Sequence, residues 1–199
     1  IALSLKGRDH PWASRGGIKL AHALDRLGWD IAGAVALDVG ASTGGFTDVL
    51  LHHGAARVYA VDVGHGQLAW KLRSDARVVV LERTNARHLT AAELPEPVHL
   101  ITCDASFISL AKVLATPLSF ARPEATLVAL IKPQFEAGRS EVGKGGVVRD
   151  PAVHERVCRE VADWVGAQPG WRVAAIEPSP ITGPEGNVEF LLGAIRSPG

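Results

Sequence analysis

The chain has 199 residues, of which 47% are hydrophobic and 21% are charged, so it is long enough for one globular domain with a sizeable core. No apolar run approaches the roughly 20 residues that a membrane span needs, and Cys103 and Cys158 lack the spacing of a metal site or a disulfide framework. The 21 basic and 21 acidic side chains balance, which argues against nucleic-acid binding by bulk charge but leaves room for a local basic patch.

The first ten residues, IALSLKGRDH, are too short and too polar for a secretory signal. We therefore expect a reducing, cytoplasmic compartment and no bound metal. The chain contains no Met, even at position 1, which suggests that it begins inside a longer protein.

An amphipathic helix is the first predicted element. Four apolar residues recur at helical spacing: Ile18, Ala21, Leu24 and Leu27. They predict a helix over Arg15–Leu27 that ends at Gly28.

Short β-branched runs then alternate with helical patterns, which is typical of βαβ units around a parallel sheet. The predicted strands are Val35–Val39, Val58–Val61, Val78–Leu81, Leu100–Cys103, Thr126–Ile131, Arg172–Glu177 and Val188–Ala194. The predicted helices between them are Gly44–His53, Gln67–Lys71, Leu110–Phe120 and Pro151–Gln168. The segment Glu136–Arg149 is a long glycine-rich loop, and such loops are often functional.

The connection between the last two predicted strands is rich in proline and glycine and has no helical pattern. It is too short for a crossover helix, so the last strand is expected to enter antiparallel. The predicted fold is therefore an α/β, class I methyltransferase (Rossmann-like) arrangement. It has a seven-stranded, mostly parallel sheet with the last strand antiparallel and helices on both faces.

A glycine-rich turn follows the first strand, in the context that a nucleotide-binding turn requires. Gly40 allows a sharp turn, and Gly44 and Gly45 are expected to let a ligand approach the backbone closely. The spacing is neither that of a pyrophosphate-binding turn nor that of a P-loop, which weakens the alternative of an NAD-linked oxidoreductase. Asp62 lies 22 residues after Gly40, where a carboxylate can accept hydrogen bonds from ribose hydroxyls.

A purely structural interpretation of these residues stays open, in which the glycines close a βα turn and Asp62 caps the next helix. Asn85 and Ala86 follow the third strand, where polar groups could meet an adenine edge. Taken alone, Asn85 is better interpreted as a turn residue. The predicted cofactor-binding residues are Gly40, Ala41, Ser42, Thr43, Gly44, Gly45, Phe46, Asp62, Val63, Asn85, Ala86 and Asp104.

Four charged residues are the catalytic candidates. Asp104 and Lys132 follow the fourth and fifth strands, whose ends face the ligand crevice of such a sheet. Pro133 biases Lys132 toward extended geometry. Glu189 lies near the start of the antiparallel last strand, at the same edge, and Lys19 lies beside the buried face of the first helix. Taken singly, each is compatible with an ordinary surface ion pair, which contributes about 0–1 kcal/mol.

Two lysines and two carboxylates together suit proton removal from a hydroxyl nucleophile. A lysine acts as a base only when it is neutral part of the time, and burial or a second ammonium favours the neutral form. We therefore expect Lys132 to remove the proton or stabilise the alkoxide, and Asp104 to orient Lys132 and the reactive centre of the cofactor. Lys19 and Glu189 would hold the hydroxyl and balance the charge. Displacement of a methyl group then requires mainly that the reacting atoms be aligned and that the proton of the hydroxyl be removed.

Six segments resemble one family over nearly the whole chain: Ser14–Leu20, Asp38–Phe46, Cys103–Phe107, Ile131–Phe135, Gly143–Asp150 and Gly186–Phe190. The chain resembles the hemolysin A (TlyA-type) family, FtsJ-like S-adenosylmethionine-dependent 2′-O-methyltransferases of ribosomal RNA. The resemblance implies that Lys19, Asp104, Lys132 and Glu189 form the Lys-Asp-Lys-Glu tetrad of that family. It also implies that the glycine turn holds S-adenosylmethionine, with S-adenosylhomocysteine as product, and that the substrate is bacterial ribosomal RNA or a ribosomal subunit.

The family normally carries an N-terminal S4-type RNA-binding domain, which this sequence lacks. We interpret residues 1–13 as the remnant of the inter-domain linker and residues 14–199 as the methyltransferase domain. Cofactor binding by this chain is then more readily expected than efficient methylation. Four candidates for contact with RNA phosphates remain: Arg15, Arg139, Lys144 and Arg149.

Two other functions stay open, a catalytically inactive S-adenosylmethionine-binding module and a lytic hemolysin acting on membranes. The presence of all four tetrad residue types disfavours the inactive module. The lack of a spanning segment and of a strongly basic amphipathic helix disfavours the hemolysin. The oligomeric state cannot be read from the sequence.

Overall fold

The computed structural model of the protein describes residues 9–199. The helices are α1 (Gly16–Leu27), α2 (Gly45–His52), α3 (Trp70–Arg73), α4 (Leu110–Leu118), α5 (Pro133–Glu136) and α6 (Pro151–Ala167). The strands are β1 (Val35–Val39), β2 (Arg57–Val61), β3 (Val78–Leu81), β4 (Val98–Cys103), β5 (Ala121–Ile131), β6 (Trp171–Pro178) and β7 (Phe190–Arg196). None of the helices in this described part combines the length and apolar character needed to cross a bilayer.

The seven strands form one sheet in the order β3-β2-β1-β4-β5-β7-β6. Strands β1 to β5 pair in parallel, and β7 runs antiparallel to both β5 and β6. The predicted fold class, including the reversed last strand, is confirmed. Because β7 is reversed, its first residues lie at the sheet edge where β1, β4 and β5 end.

Both faces of the sheet are buried, each under its own helices. Along β1, Ala36 packs into the apolar cluster that includes α1 and α2, whereas Leu37 and Val39 pack into the cluster that includes α4 and α6. This alternation follows from the two-residue period of a strand. Burial on both faces explains why the parallel strands are almost uninterrupted apolar runs.

The predicted apolar stripe of α1 was wrong by about one position. Leu20, Ala23 and Leu24 are buried, whereas Ile18 is only partly so, and Lys19 lies within the buried face rather than beside it. A lysine is tolerated there because it meets a buried carboxylate, described below.

Several boundaries also differ from the predicted ones. Helix α3 begins at Trp70 instead of Gln67, because the Ala69 N–H donates to Thr43 O and ties the preceding residues to the glycine turn. Strand β7 begins at Phe190, so Glu189 immediately precedes it. Strand β5 starts earlier than predicted, and the glycine-rich loop contains two short 3₁₀ turns, Arg139–Glu141 and Lys144–Gly146.

Candidate active site

The glycine turn after β1 is packed directly against the chain segment that follows β4. Gly40 has φ +81°, and a Cβ there would lie 2.4 Å from the backbone oxygen of Asp104. The N–H groups of Gly40 and Ala41 both donate to Val61 O, at 2.9 and 3.0 Å. Only glycine fits this position, and the turn is thereby held against both neighbouring strand ends.

Gly44 and Gly45 are packed closely against other segments of the protein. At Gly44, where φ is +101°, a Cβ would lie 2.3 Å from Leu72 Cδ1. At Gly45 a Cβ would lie 2.2 Å from Ser14 Oγ. These glycines therefore allow α2 to pack against neighbouring protein segments. Gly45 also lines a cavity, and the close approach of a ligand to these two residues stays a prediction.

Asp62 holds the glycine turn in place. Its Oδ2 accepts a hydrogen bond from the Ser42 N–H and its Oδ1 accepts one from the Gly64 N–H, both at 2.8 Å. It does not cap α3, which begins eight residues later at Trp70. Each oxygen keeps lone-pair capacity for a further donor.

Val63, Asn85 and Ala86 line the same cavity as Asp62. Val63 is 72% exposed and Ala86 is buried. The Asn85 side chain accepts a hydrogen bond from the Arg87 N–H at 3.0 Å and so caps a 3₁₀ turn. The turn-residue interpretation of Asn85 is therefore correct, and it is compatible with a place in the cavity wall.

Asp38 is a polar residue in the core for which no catalytic or binding role was predicted. It is fully buried, and its carboxylate accepts hydrogen bonds from the hydroxyls of Thr47 at 2.7 Å and Thr102 at 3.1 Å. Burial raises the pKa of Asp38 to about 7, although both hydroxyls oppose this shift. These contacts join the end of β1 to α2 and β4. The only local signal was an acid inside an apolar strand.

Asp104 and Lys132 form a close ion pair at the ends of β4 and β5. Lys132 Nζ lies 2.6 Å from Asp104 Oδ1 and donates to Ser106 Oγ at 3.2 Å. Lys132 is 7% exposed and has extended backbone (φ −115°, ψ 99°), as expected before a proline. Pro133 then opens the short helix α5. The contact with Ser106 was not predicted, because nothing local links residues 26 positions apart.

Lys19 and Glu189 form a second pair, which is more deeply buried. Lys19 Nζ donates to Glu189 Oε1 at 2.6 Å, and the side chains are 9% and 0% exposed. Glu189 Oε2 has no hydrogen-bond partner among the described residues. Gly183 lies directly against this oxygen, because a Cβ at that position would come within 2.1 Å of it.

Two adjoining cavities bring these groups together. One, of about 440 Å³, is lined by Lys19, Asp104 and Lys132, and also by Ser14–Gly16, by part of the glycine turn and by residues 181–184. The other, of about 450 Å³, contains Asp62 and Asn85 in its wall. Four residues line both: Gly40, Ser42, Asp104 and Ser106. A ligand lying across these residues would reach from Asp62 to Lys132.

The four basic RNA candidates are not all in one place. Arg15 lines the first cavity, whereas Arg139, Lys144 and Arg149 are exposed on the loop between α5 and α6. Within residues 9–199, none of the four is in a salt bridge.

Residues 1–8 of the predicted linker remnant lie outside the described residues. The part that is described packs against the domain. The Trp12 ring lies 5.3 Å from the His52 ring, and the Ala13 N–H donates to Asp48 Oδ2 at 2.8 Å. The boundary at residue 13 stays a prediction.

Comparison with known proteins shows which families and structures this chain is similar to. A family model described as FtsJ-like methyltransferase matches residues 12–196. The 16S/23S rRNA (cytidine-2′-O)-methyltransferase TlyA of Mycobacterium tuberculosis is 52% identical over 184 residues, which are 92% of this chain and 68% of that protein.

Two solved structures share the fold. A protein from Lactococcus lactis, provisionally described as a hemolysin, superimposes with a TM-score of 0.88 at 46% identity, over 92% of this chain and 88% of that one. An O-methyltransferase from Bacillus cereus has a TM-score of 0.63 at 18% identity, over 92% of this chain and 82% of that one, which shows the common fold.

Proposed function

Because this chain belongs to the FtsJ-like methyltransferase family, we propose that it transfers a methyl group from S-adenosylmethionine to a ribose 2′-hydroxyl of ribosomal RNA. The observation that carries this proposal is the placement of the Lys132–Asp104 pair where the two cavities meet. Asp104 lines both cavities, and Lys132, the group that would manage the proton, lines the one of about 440 Å³.

The residues around the cavities fit S-adenosylmethionine. In the cavity of about 450 Å³, Asp62 supplies carboxylate lone pairs for ribose hydroxyls, and the segment at Asn85 and Ala86 lies in the wall that would face the adenine. The glycine turn and Asp104 would continue the binding surface toward the other cavity. When bound, the cofactor supplies an electrophilic methyl group, whose transfer to the hydroxyl oxygen leaves S-adenosylhomocysteine.

Lys132 acts on the nucleophilic hydroxyl. Two of its hydrogen-bonding directions are used by Asp104 Oδ1 and Ser106 Oγ, so the nitrogen is fixed at the cavity wall. In the neutral form its lone pair accepts the proton of the 2′-hydroxyl, and the resulting ammonium is stabilised by the Asp104 carboxylate. Alternatively, the ammonium stabilises the alkoxide directly by charge.

Lys19 and Glu189 place the ribose. Lys19 lines the cavity, and Glu189 fixes its ammonium from behind through the 2.6 Å contact. An ammonium held by a buried carboxylate is a preorganised hydrogen-bond donor for a substrate hydroxyl. The presence of both pairs in contact supports an active enzyme over an inactive binding module.

The RNA is proposed to lie over the cavity mouth, where Arg15 meets it, with Arg139, Lys144 and Arg149 as further phosphate contacts. The M. tuberculosis relative is longer than this chain, which covers 68% of it. We expect this chain alone to bind the cofactor, and efficient methylation to require an N-terminal RNA-binding domain.

The test is transfer of tritiated methyl groups by the full-length protein to isolated 30S and 50S ribosomal subunits, with mapping of the labelled nucleotide. The Lys132→Ala variant should lose about 10²–10⁴-fold in rate while calorimetry shows unchanged affinity for S-adenosylmethionine. Lys112→Ala, which removes an exposed lysine of α4, is the matched control. Undiminished transfer by Lys132→Ala would remove this lysine from the mechanism. Lysis of red cells by both variants alike would favour the hemolysin alternative.

A further inference from the structure

The connection between β6 and β7 carries both cavity-lining residues and Glu189. It is closed by its own backbone, since the Ser179 N–H donates to Glu189 O and the Gly183 N–H donates to Asn187 O, both at 2.8 Å. Gly183 lies against Glu189 Oε2. The conformation of this connection therefore determines where the Glu189 carboxylate stands.

Asn187 ties this connection to another part of the chain. It is 3% exposed, and its side-chain oxygen accepts a hydrogen bond from the Val148 N–H at 3.1 Å. Its amide nitrogen donates to Gly146 O at 3.0 Å and to Pro184 O at 3.1 Å. The orientation of the amide is unambiguous, because a flipped side chain would place its oxygen against two carbonyl oxygens.

The segment that Asn187 holds is the basic loop, residues 143–149. This loop has few other anchors: the Gly143 N–H donates to Val147 O at 2.9 Å, and a ring nitrogen of His154 lies 2.8 Å from Val148 O. Val147 and Val148 are buried, whereas Lys144 and Arg149 are exposed. The loop thus presents two cations outward while its buried side is bonded to Asn187.

We infer that Asn187 is a positioning residue that makes the order of the basic loop and the orientation of Glu189 interdependent. The inference deepens the proposed function and rests on it for the identity of the substrate. RNA phosphates bound to Lys144 and Arg149 hold the loop in the conformation described here, and the three hydrogen bonds of Asn187 link that conformation to the connection that places Glu189 and Gly183. Lys19 then points its ammonium at the ribose only when the basic loop is in place.

Asn187→Ala removes all three side-chain hydrogen bonds. We expect kcat for methylation of ribosomal subunits to fall by at least tenfold, while the Kd for S-adenosylmethionine changes by less than twofold. Asn187→Asp keeps the acceptor for Val148 but sets a carboxylate oxygen against the carbonyl oxygens of Gly146 and Pro184, so its kcat should fall at least as far as that of Asn187→Ala. Gln168→Ala is the control. Gln168 lies just after the last residue of α6, and its side-chain amide donates one hydrogen bond to Trp164 O at 2.8 Å, which the replacement removes.

Hydrogen–deuterium exchange of the free protein tests the coupling without any RNA or methyl transfer. In Asn187→Ala, the peptides that cover 143–149 and 179–189 should both exchange at least fivefold faster, and the peptides of β1 and β2 should exchange at their normal rate. In the control variant Gln168→Ala, the exchange rate of every peptide should be unchanged. Faster exchange in 179–189 alone, or uniformly throughout the protein, would overturn the inference. Because the exchange experiment needs no substrate, its result can be interpreted even if the protein proves not to transfer methyl groups to RNA.

Discussion

Lys19 Nζ lies 2.6 Å from Glu189 Oε1, although 170 residues separate them in the chain. One residue lies in the first helix and the other immediately precedes the last strand. Both side chains are almost completely buried, so their charges are compensated chiefly by each other. A buried pair of this kind contributes little net stability when intact but destabilises the fold when one partner is removed.

Glu189→Ala should therefore lower the free energy of unfolding by about 3–5 kcal/mol, because it leaves the largely buried Lys19 ammonium without its carboxylate partner. The double replacement Lys19→Met with Glu189→Gln should recover most of that loss without recovering methylation. Urea denaturation measures both. Arg26→Ala breaks the exposed pair with Glu177 and serves as the control, for which near-normal stability is expected. Full activity in the double variant would exclude this pair from the reaction.

Gly183→Ala should abolish methylation while leaving the protein folded. The new methyl group would lie within 2.1 Å of Glu189 Oε2, so the carboxylate must move and its contact with Lys19 is lost. Gly166→Ala is the matched control, since nothing lies within 4 Å of a Cβ there and the site is inside α6. Initial rates and circular dichroism together check the prediction. A Gly183→Ala enzyme with normal kcat would contradict it.

Gly40→Ala should eliminate cofactor binding and destabilise the fold by more than the roughly 1–2 kcal/mol of a left-handed alanine. A Cβ there would collide with Asp104 O at 2.4 Å, and φ is +81°. Gly33→Ala separates the two effects, because φ is similar at +76° but the space around it is open. Calorimetric titration with S-adenosylhomocysteine should show normal affinity for Gly33→Ala only. Equal affinities in the two variants would show that the contact with Asp104 is unimportant for the cofactor.

The buried carboxyl group of Asp38 should make the protein less stable as the pH rises. Burial raises its pKa from an ordinary 3.8 to about 7, so the folded state binds the proton more tightly than the unfolded state. The contribution of Asp38 to stability is therefore full below about pH 4 and is lost progressively up to about pH 7, at no more than about 1.4 kcal/mol per pH unit.

Asp38→Asn should flatten this dependence, as measured by thermal unfolding between pH 5 and pH 8. Burial also raises the pKa of Glu136, which acts in the same direction, so Glu136→Gln gives a comparison. Identical pH profiles for Asp38→Asn and the unaltered protein would refute the assignment.

Lys144→Ala and Arg149→Ala should each weaken the binding of ribosomal RNA, and the loss of affinity should be about the same whatever the sequence of the RNA. Each should also reduce the slope of log K against log salt by about 1, because one phosphate contact is lost. Filter binding at several salt concentrations measures this slope. Arg26→Ala, whose side chain is paired with Glu177, should leave it unchanged. An unchanged slope in the loop variants would place the RNA elsewhere.

Part of this site could be predicted because the carboxyl ends of parallel strands lie at the same edge of a sheet. Asp104 and Lys132 come directly after parallel strands, so a sheet of this class brings them to one edge. The register supports this directly: Ile131 pairs with Phe190, which makes Lys132 and Glu189 neighbours beyond the end of that pairing. The reversed direction of β7 followed from the short connection before it.

The contacts that could not be predicted join side chains that are far apart in the sequence, where no local pattern links the two residues. The Asp38 carboxylate meets Thr102 across 64 residues, and Asn187 meets Val148 across 39. The packing reasons for Gly44 and Gly45 likewise depend on Leu72 and Ser14, whose positions are set only by the tertiary fold. Hydrophobic periodicity carries no information about such pairings.

The reversal of β7 has a consequence for synthesis of the protein. Strand β7 fills the gap between β5 and β6, and Glu189 arrives with it. During synthesis, Lys19 therefore lacks its counter-ion until residue 189 has been added to the chain. The buried pair can form only after β1 to β6 have been synthesised.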